Sequence, residues 1–185
     1  MSAANHPTLA RRRAAEGGLV LGAAAGRCYT KRMSQHKATV SWKSDNETFL
    51  QGKFSRAHSW SFDGGLVVPA SASPSVVPAP YSSASAIDPE EAFVASVSSC
   101  HMLTFLWEAK KAGFRIDAYE DEAVGEMTKN ERGVPWISKV TLHPRITYAG
   151  DKQPGPADLE QLHHKAHEGC FIAQSVKTEI VVSEP

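Results

Sequence analysis

From Lys37 onward the apolar positions fall into a readable order of periods. "KATVSW" alternates every second residue, as a half-buried strand does. "ETFLQGKFSRAHSWSFDGG" continues in the same style and reads as paired strands closed by Asp63-Gly64-Gly65. The alternation then stops at "VVPASASPSVVPAPYSSASA", which contains Pro69, Pro74, Pro78 and Pro80. Four prolines exclude a helix and a central strand. The segment is too apolar for a free linker, so it is expected to lie extended across a surface of its own domain or of a partner subunit.

A change to helical spacing follows. Asp88 is placed to cap, Pro89 suits the first helical position, and Glu91 completes a D-x-x-E capping box. The pattern predicts a helix from about Pro89 to Lys111, stopped by Gly113. Phe93, Val94, Val97, Met102, Leu103, Phe105, Leu106 and Trp107 cover most of its girth, which predicts a central, buried helix. Cys100 sits at its middle and is expected inside the protein or at a subunit contact.

Beyond the helix, "FRIDAYEDEAVGEMTKNERGVPWISKVTLHPRITY" alternates on both sides of a turn near 130–133. Glu120, Glu122 and Glu126 mark one wet face. A second helix is expected after Pro156, running to about Glu168, with Leu159, Leu162 and Ala166 inward and Cys170 just past its end. "KTEIVVS" closes the chain as a strand. Strands, helix, strands, helix, strand imply an α+β domain with helices on a mainly antiparallel sheet.

Composition narrows the function classes. The 185 residues suit one domain, or one domain with a tail. Twenty basic and twenty acidic side chains cancel, so charge offers no case for nucleic acid or an anionic membrane. Nothing approaches the apolar run of about 20 residues that spans a bilayer. Three cysteines in a chain this long do not form a disulfide scaffold and point instead to redox or nucleophilic chemistry in a reducing compartment. The N-terminal part stands apart: Arg11, Arg12, Arg13, Arg27, Lys31 and Arg32 face a single acid, Glu16. Residues 1–35 are therefore expected as a basic, disordered segment, either an organelle transit peptide or an extension upstream of Met33. Residues 36–185 are expected as the functional domain. Cys28 falls in the segment and carries little weight.

The chemistry-bearing candidates are few. Cys100 and Cys170 lie 70 residues apart, unlike the close pairs of a metal knuckle. A buried cysteine taken alone is usually a small hydrophobe. Glu90 precedes Cys100 by ten residues, which puts both on one broad side of the helix but roughly 15 Å apart along it. Glu90 equally suits a plain N-terminal acid favoured by the helix dipole. His163 and His167 have an i, i+4 spacing that can bind metal, but with His164 they read first as surface histidines, and no H-E-x-x-H accompanies them. His101, next to Cys100, points about 100° away and is a weak base candidate. Trp42, Trp60, Trp107 and Trp136 read as core or as walls of an apolar groove.

"DPEEAFVASVSSCHMLTFL" resembles the central-helix motif of the osmotically inducible protein C (OsmC) and organic hydroperoxide resistance family, where Asn/Asp-Pro-Glu opens the helix ten residues before the first cysteine. "HEGCFIAQSVKTEI" resembles the family's second motif, a helix ending in a cysteine before a small-polar turn and a last strand. The resemblance spans about 37–183. It implies an OsmC-like intertwined homodimer with mainly antiparallel sheets, a long buried central helix, and sites at the subunit interface. It implies thiol-dependent reduction of organic hydroperoxides, with Cys100 peroxidatic, Cys170 resolving, and Glu90 holding an arginine beside the reactive sulfur. Arg56 is the expected arginine, since it precedes the helix and no arginine lies between it and Cys100. His58 is the runner-up polar residue.

Such chemistry needs a thiolate, whereas a free thiol with pKa near 8.5 is mostly protonated at pH 7. A fixed guanidinium favours the anion and can stabilise a departing alkoxide. No cofactor, metal, nucleic acid or membrane is expected, and the partners are a second subunit, an organic hydroperoxide and a dithiol or thiol reductant. The compartment expected is the cytoplasm, or an organelle if the basic segment is a transit peptide. Two rivals stand beside this: a non-enzymatic module binding a small apolar ligand, and a thiol hydrolase using Cys100 with His101 or His58.

Overall fold

The computed structural model describes residues 34–44 and 47–183. All but the last two residues of the basic segment, Cys28 among them, lie outside the described residues. A compact unit begins at Lys37.

Three strands come first: β1 (Ala38–Ser41), β2 (His58–Phe62) and β3 (Val67–Ala70). They form an antiparallel sheet with β2 in the centre. The β2–β3 hairpin closes at Asp63-Gly64-Gly65 as the sequence indicates, with Gly65 in the left-handed region at φ 84°. The first half of the expected strand pair is different. Phe49–Gln51 is a short 3-10 turn ending at Gly52, and Trp42, Phe49 and Phe54 gather there with ring centroids 4.6–5.6 Å apart. Three large rings packing on each other outweighed the weak alternation. Pro69 lies on an edge strand, the place in a sheet where proline is tolerated.

Helix α1 (Pro89–Ala112) has the boundaries its caps dictate. Asp88 Oδ1 accepts from the Glu91 backbone N–H at 2.7 Å, and Glu91 accepts from the Asp88 N–H at 3.2 Å. Gly113, at φ 81°, ends the helix. Its inward stripe is Val97, His101, Phe105 and Ala109, each four residues from the last. The expectation of burial all round fails within one chain: Leu103 and Trp107 are 62% and 58% exposed. One stripe suffices for packing against this chain's other elements, and the outer apolar face has no cover from them.

The long alternating stretch is a hairpin in its pairing, but it breaks into two sheets. The strands β4 (Arg115–Asp121) and β7 (Pro144–Ala149) pair, as do β5 (Val124–Lys129) and β6 (Pro135–Leu142). The break is organised by Asp121, whose carboxylate accepts from the His143 backbone N–H at 2.6 Å and from Ser98 Oγ of α1 at 2.5 Å. Glu120, Glu122 and Glu126 are exposed, and Arg145 bridges the first two. The final strand, β8 (Glu179–Val182), joins β6 in parallel.

Helix α2 (Pro156–Gly169) packs on α1. Phe105, Ala109, Phe114, Leu162 and Ala166 form one core; Val97, Val140 and Leu142 form another beneath the three-stranded sheet. Gly125 permits that second approach, since a Cβ there would sit 2.6 Å from Val94 Cγ2. Among the described residues no helix is long and apolar enough to cross a membrane.

Candidate functional site: two thiols between the helices

The two described cysteines are both free thiols, and the fold brings their side chains within interaction distance. Cys100 is half-buried at the middle of α1, while Cys170 caps the C-terminus of α2 and is fully buried. The thiol of Cys170 is pushed up to about 11, first by burial and next by a hydrogen bond with the Cys100 side chain. The Ala173 backbone N–H reaches Cys170 Sγ at 3.4 Å and opposes the shift in part.

Close backbone packing permits the encounter. A Cβ on Gly169 would lie only 2.8 Å from Thr104 Cγ2, so the last residue of α2 must be small to approach α1 here. Thr104 is one turn beyond Cys100 and donates its hydroxyl to the Cys100 carbonyl at 2.9 Å.

Glu90 is at the other end of this stretch of α1. It lines a cleft of about 690 Å³ together with Val94, Met102, Met127 and Ile137, and Cys100 is not part of that lining. Tyr119, also on the cleft, has its hydroxyl buried without a hydrogen-bond partner, and burial with the nearby Asp121 charge raises its pKa.

Arg56 is elsewhere again. Its guanidinium donates to the carbonyls of Phe54 at 2.5 Å and Gly52 at 3.3 Å, and lies 3.7 Å over the Phe54 ring. Within one chain it makes no ion pair with Glu90. His58 accepts the indole N–H of Trp60 at 2.9 Å, and its other ring nitrogen lies 2.8 Å from the Arg56 carbonyl oxygen. The structure thus joins Cys100 to Cys170 and leaves Glu90, Arg56 and His58 apart from them.

The histidines need correction. His163 is a core residue, only 7% exposed, and its Nδ1 lies 3.0 Å from Nε2 of His101, itself 1% exposed. Burial lowers both imidazoles to about 4. His101 is thus turned to α2, away from any role as base to Cys100. His164 and His167 remain on the surface, His164 with Glu168 at 3.3 Å. No group of three potential metal ligands occurs among the described residues. The signal for this pair was present: His101 occupies a place in the Val97, Phe105, Ala109 stripe. Trp42 and Trp107, expected as core or groove walls, are exposed in the single chain.

Fold and site together define an α+β dithiol protein with a long central helix. The family model described as OsmC-like protein matches residues 82–184. An OsmC-like protein of unknown function from Vibrio cholerae O1 biovar eltor is 50% identical, with a TM-score of 0.80, over 83% of this chain and 100% of its own. The chain belongs to the OsmC-like family. The organic hydroperoxide resistance protein of Bacillus subtilis shares the fold at 21% identity and TM-score 0.60, over 82% of this chain and 98% of its own. One from Legionella pneumophila does so at 17% and 0.59, over 82% and 96%. No curated protein matches the sequence.

Proposed function

We propose that this chain is a two-cysteine peroxidase that reduces organic hydroperoxides. The observation that carries this reading is the meeting of Cys100 with Cys170, one half-exposed and one buried with its thiol held protonated. The Cys100 thiolate attacks the terminal oxygen of R–O–OH. The O–O bond breaks, Cys100 becomes a sulfenic acid, and RO⁻ leaves and takes a proton to give the alcohol. The Cys170 thiol then condenses with that sulfenic acid, releasing water and forming a disulfide. An external dithiol reduces the disulfide by exchange and is itself oxidised.

Arg56 and Glu90 complete the site across a subunit interface, as the family resemblance implies. Arg56 of a second subunit pairs with Glu90 and stabilises both the thiolate and the departing alkoxide. The bare outer face of α1 at Leu103 and Trp107, and the exposed Val40, Leu66 and Val67 of the first sheet, support association of two subunits. Residues 36–185 form the working domain in this proposal.

The apolar cleft beside α1 favours one other reading, a non-catalytic module for a small apolar ligand. Steady-state consumption of cumene hydroperoxide with a dithiol separates the two. The peroxidase turns over, and Cys100→Ser loses at least about 10³-fold, as loss of a nucleophile does. A Cys100→Ser variant with full activity overturns the proposal.

A further inference from the structure

Two buried histidines are left unused by the chemistry above. Val97, His101, Phe105 and Ala109 make the inward stripe of α1, and only His101 is polar. Burying an imidazole among such neighbours is unfavourable without a partner. The partner is His163 of α2, at 3.0 Å, with the two rings nearly parallel at 8° and Phe105 4.4 Å from the His163 ring. Burial holds both rings neutral near pH 7, so one N–H is shared in one direction at a time.

The placement of this bond is specific. His101 directly follows Cys100 in α1. His163 precedes Cys170 by seven residues, which is two helical turns, so the two lie on one face of α2. On the same side of the cysteines, and nearer to Cys170, Gly169 fits against Thr104. The meeting of the thiols thus lies next to a directional polar contact and a tight steric one. Apolar contacts between Phe105, Ala109, Leu162 and Ala166 hold the helices together but tolerate sliding. A buried hydrogen bond tolerates less, because it weakens steeply once its distance and angle depart from the ideal.

We propose that His101 and His163 are a positioning pair that fixes the register of α2 on α1 and so holds Cys170 within bonding reach of Cys100. The proposal deepens the two-cysteine reading and rests on it for its biological meaning, but the geometry can be tested without any peroxide.

The experiment uses the full chain and the double variant His101→Phe/His163→Leu, which removes both polar rings and leaves apolar packing in their place. Two quantities are read beside the melting temperature. One is the equilibrium constant of the Cys100–Cys170 disulfide against oxidised dithiothreitol. The other is the fraction of Cys100 sulfenic acid captured by dimedone after one equivalent of cumene hydroperoxide. The folded double variant is expected to lose about tenfold in the disulfide constant and to gain in dimedone adduct, since a lost buried hydrogen bond is worth about that factor. His163→Asn, which offers an amide near the position of Nδ1, is expected to recover most of the loss. A double variant with the wild-type disulfide constant overturns the proposal. Should the double variant fail to fold, equal constants for His163→Leu and His163→Asn overturn it as well. Wild-type protein that leaves hydroperoxide unconsumed, with the double variant still showing the expected shift in the dithiothreitol equilibrium, sinks the peroxidase reading alone. The reverse pattern sinks the positioning pair alone.

Discussion

The first sheet and the body that follows it are built on opposite terms. The body, from α1 to β8, has two cores of its own in which Phe105, Val97, Val140 and Leu142 are fully buried, although Leu103 and Trp107 on the outer face of α1 stay open. The β1–β3 sheet leaves Val40, Leu66 and Val67 open. The proposed site divides along the same line, with Cys100 and Cys170 in the body and Arg56 just before β2. A body with its own cores can hold the dithiol pair, whereas the role proposed for Arg56 calls for a second surface.

That contrast can be broken first by stability. Phe105→Ala is expected to lower unfolding free energy by about 3–5 kcal/mol, as truncation of a buried Phe does. Leu66→Ala in dilute protein is expected to change it by less than about 0.5 kcal/mol. Urea denaturation of both variants checks the pair, and equal losses would deny the division. Arg56→Ala comes next. It is expected to cut peroxidase kcat/KM by about 10²–10³-fold, typical for removal of a charge-stabilising donor, with an unchanged melting temperature. A large stability loss with intact chemistry would instead make Arg56 a structural prop for Phe54.

Acid sharpens the body's side of the comparison. His101 and His163 have folded-state values of about 4, below the ordinary imidazole value of 6.5. Between these values the unfolded chain binds more protons than the folded one. Stability is therefore full above about pH 6.5 and is lost as pH falls toward 4. Denaturation midpoints at pH 7 and pH 5 check this, and His101→Phe/His163→Leu is expected to flatten the dependence. A smaller loss than that of Phe105→Ala is expected at Gly125, where an added methyl meets Val94 Cγ2 at 2.6 Å. Val94 is β-branched and has little freedom to yield in a helix. Gly125→Ala should cost about 1–2 kcal/mol by overpacking, again read from urea midpoints.

Much of this was legible in the sequence. The capping box at Asp88 and the stop at Gly113 fixed α1 to within a residue, because caps are local chemistry. The second helix and the last strand followed from short-range pattern in the same way. What escaped depends on contacts distant in sequence. Alternation through 115–148 could not show the break at Asp121, which exists because Ser98 and the His143 amide converge on one carboxylate. The ring cluster of Trp42, Phe49 and Phe54 overrode a strand-like run. Cys100 and Cys170 were named from their motifs, but their contact across 70 residues is tertiary. His163 reads as a surface residue beside the polar His164 and His167, because its partner His101 is 62 residues away.

The central claim is that Cys100 and Cys170 form one redox couple. It is tested most directly by adding one equivalent of cumene hydroperoxide to the reduced protein and mapping its peptides by mass spectrometry without reductant. The expected product is a Cys100–Cys170 disulfide, with a dimedone-trappable sulfenic acid on Cys100 in Cys170→Ser. Unconsumed hydroperoxide with both thiols free, or a disulfide joining either of them to Cys28 instead, would contradict it.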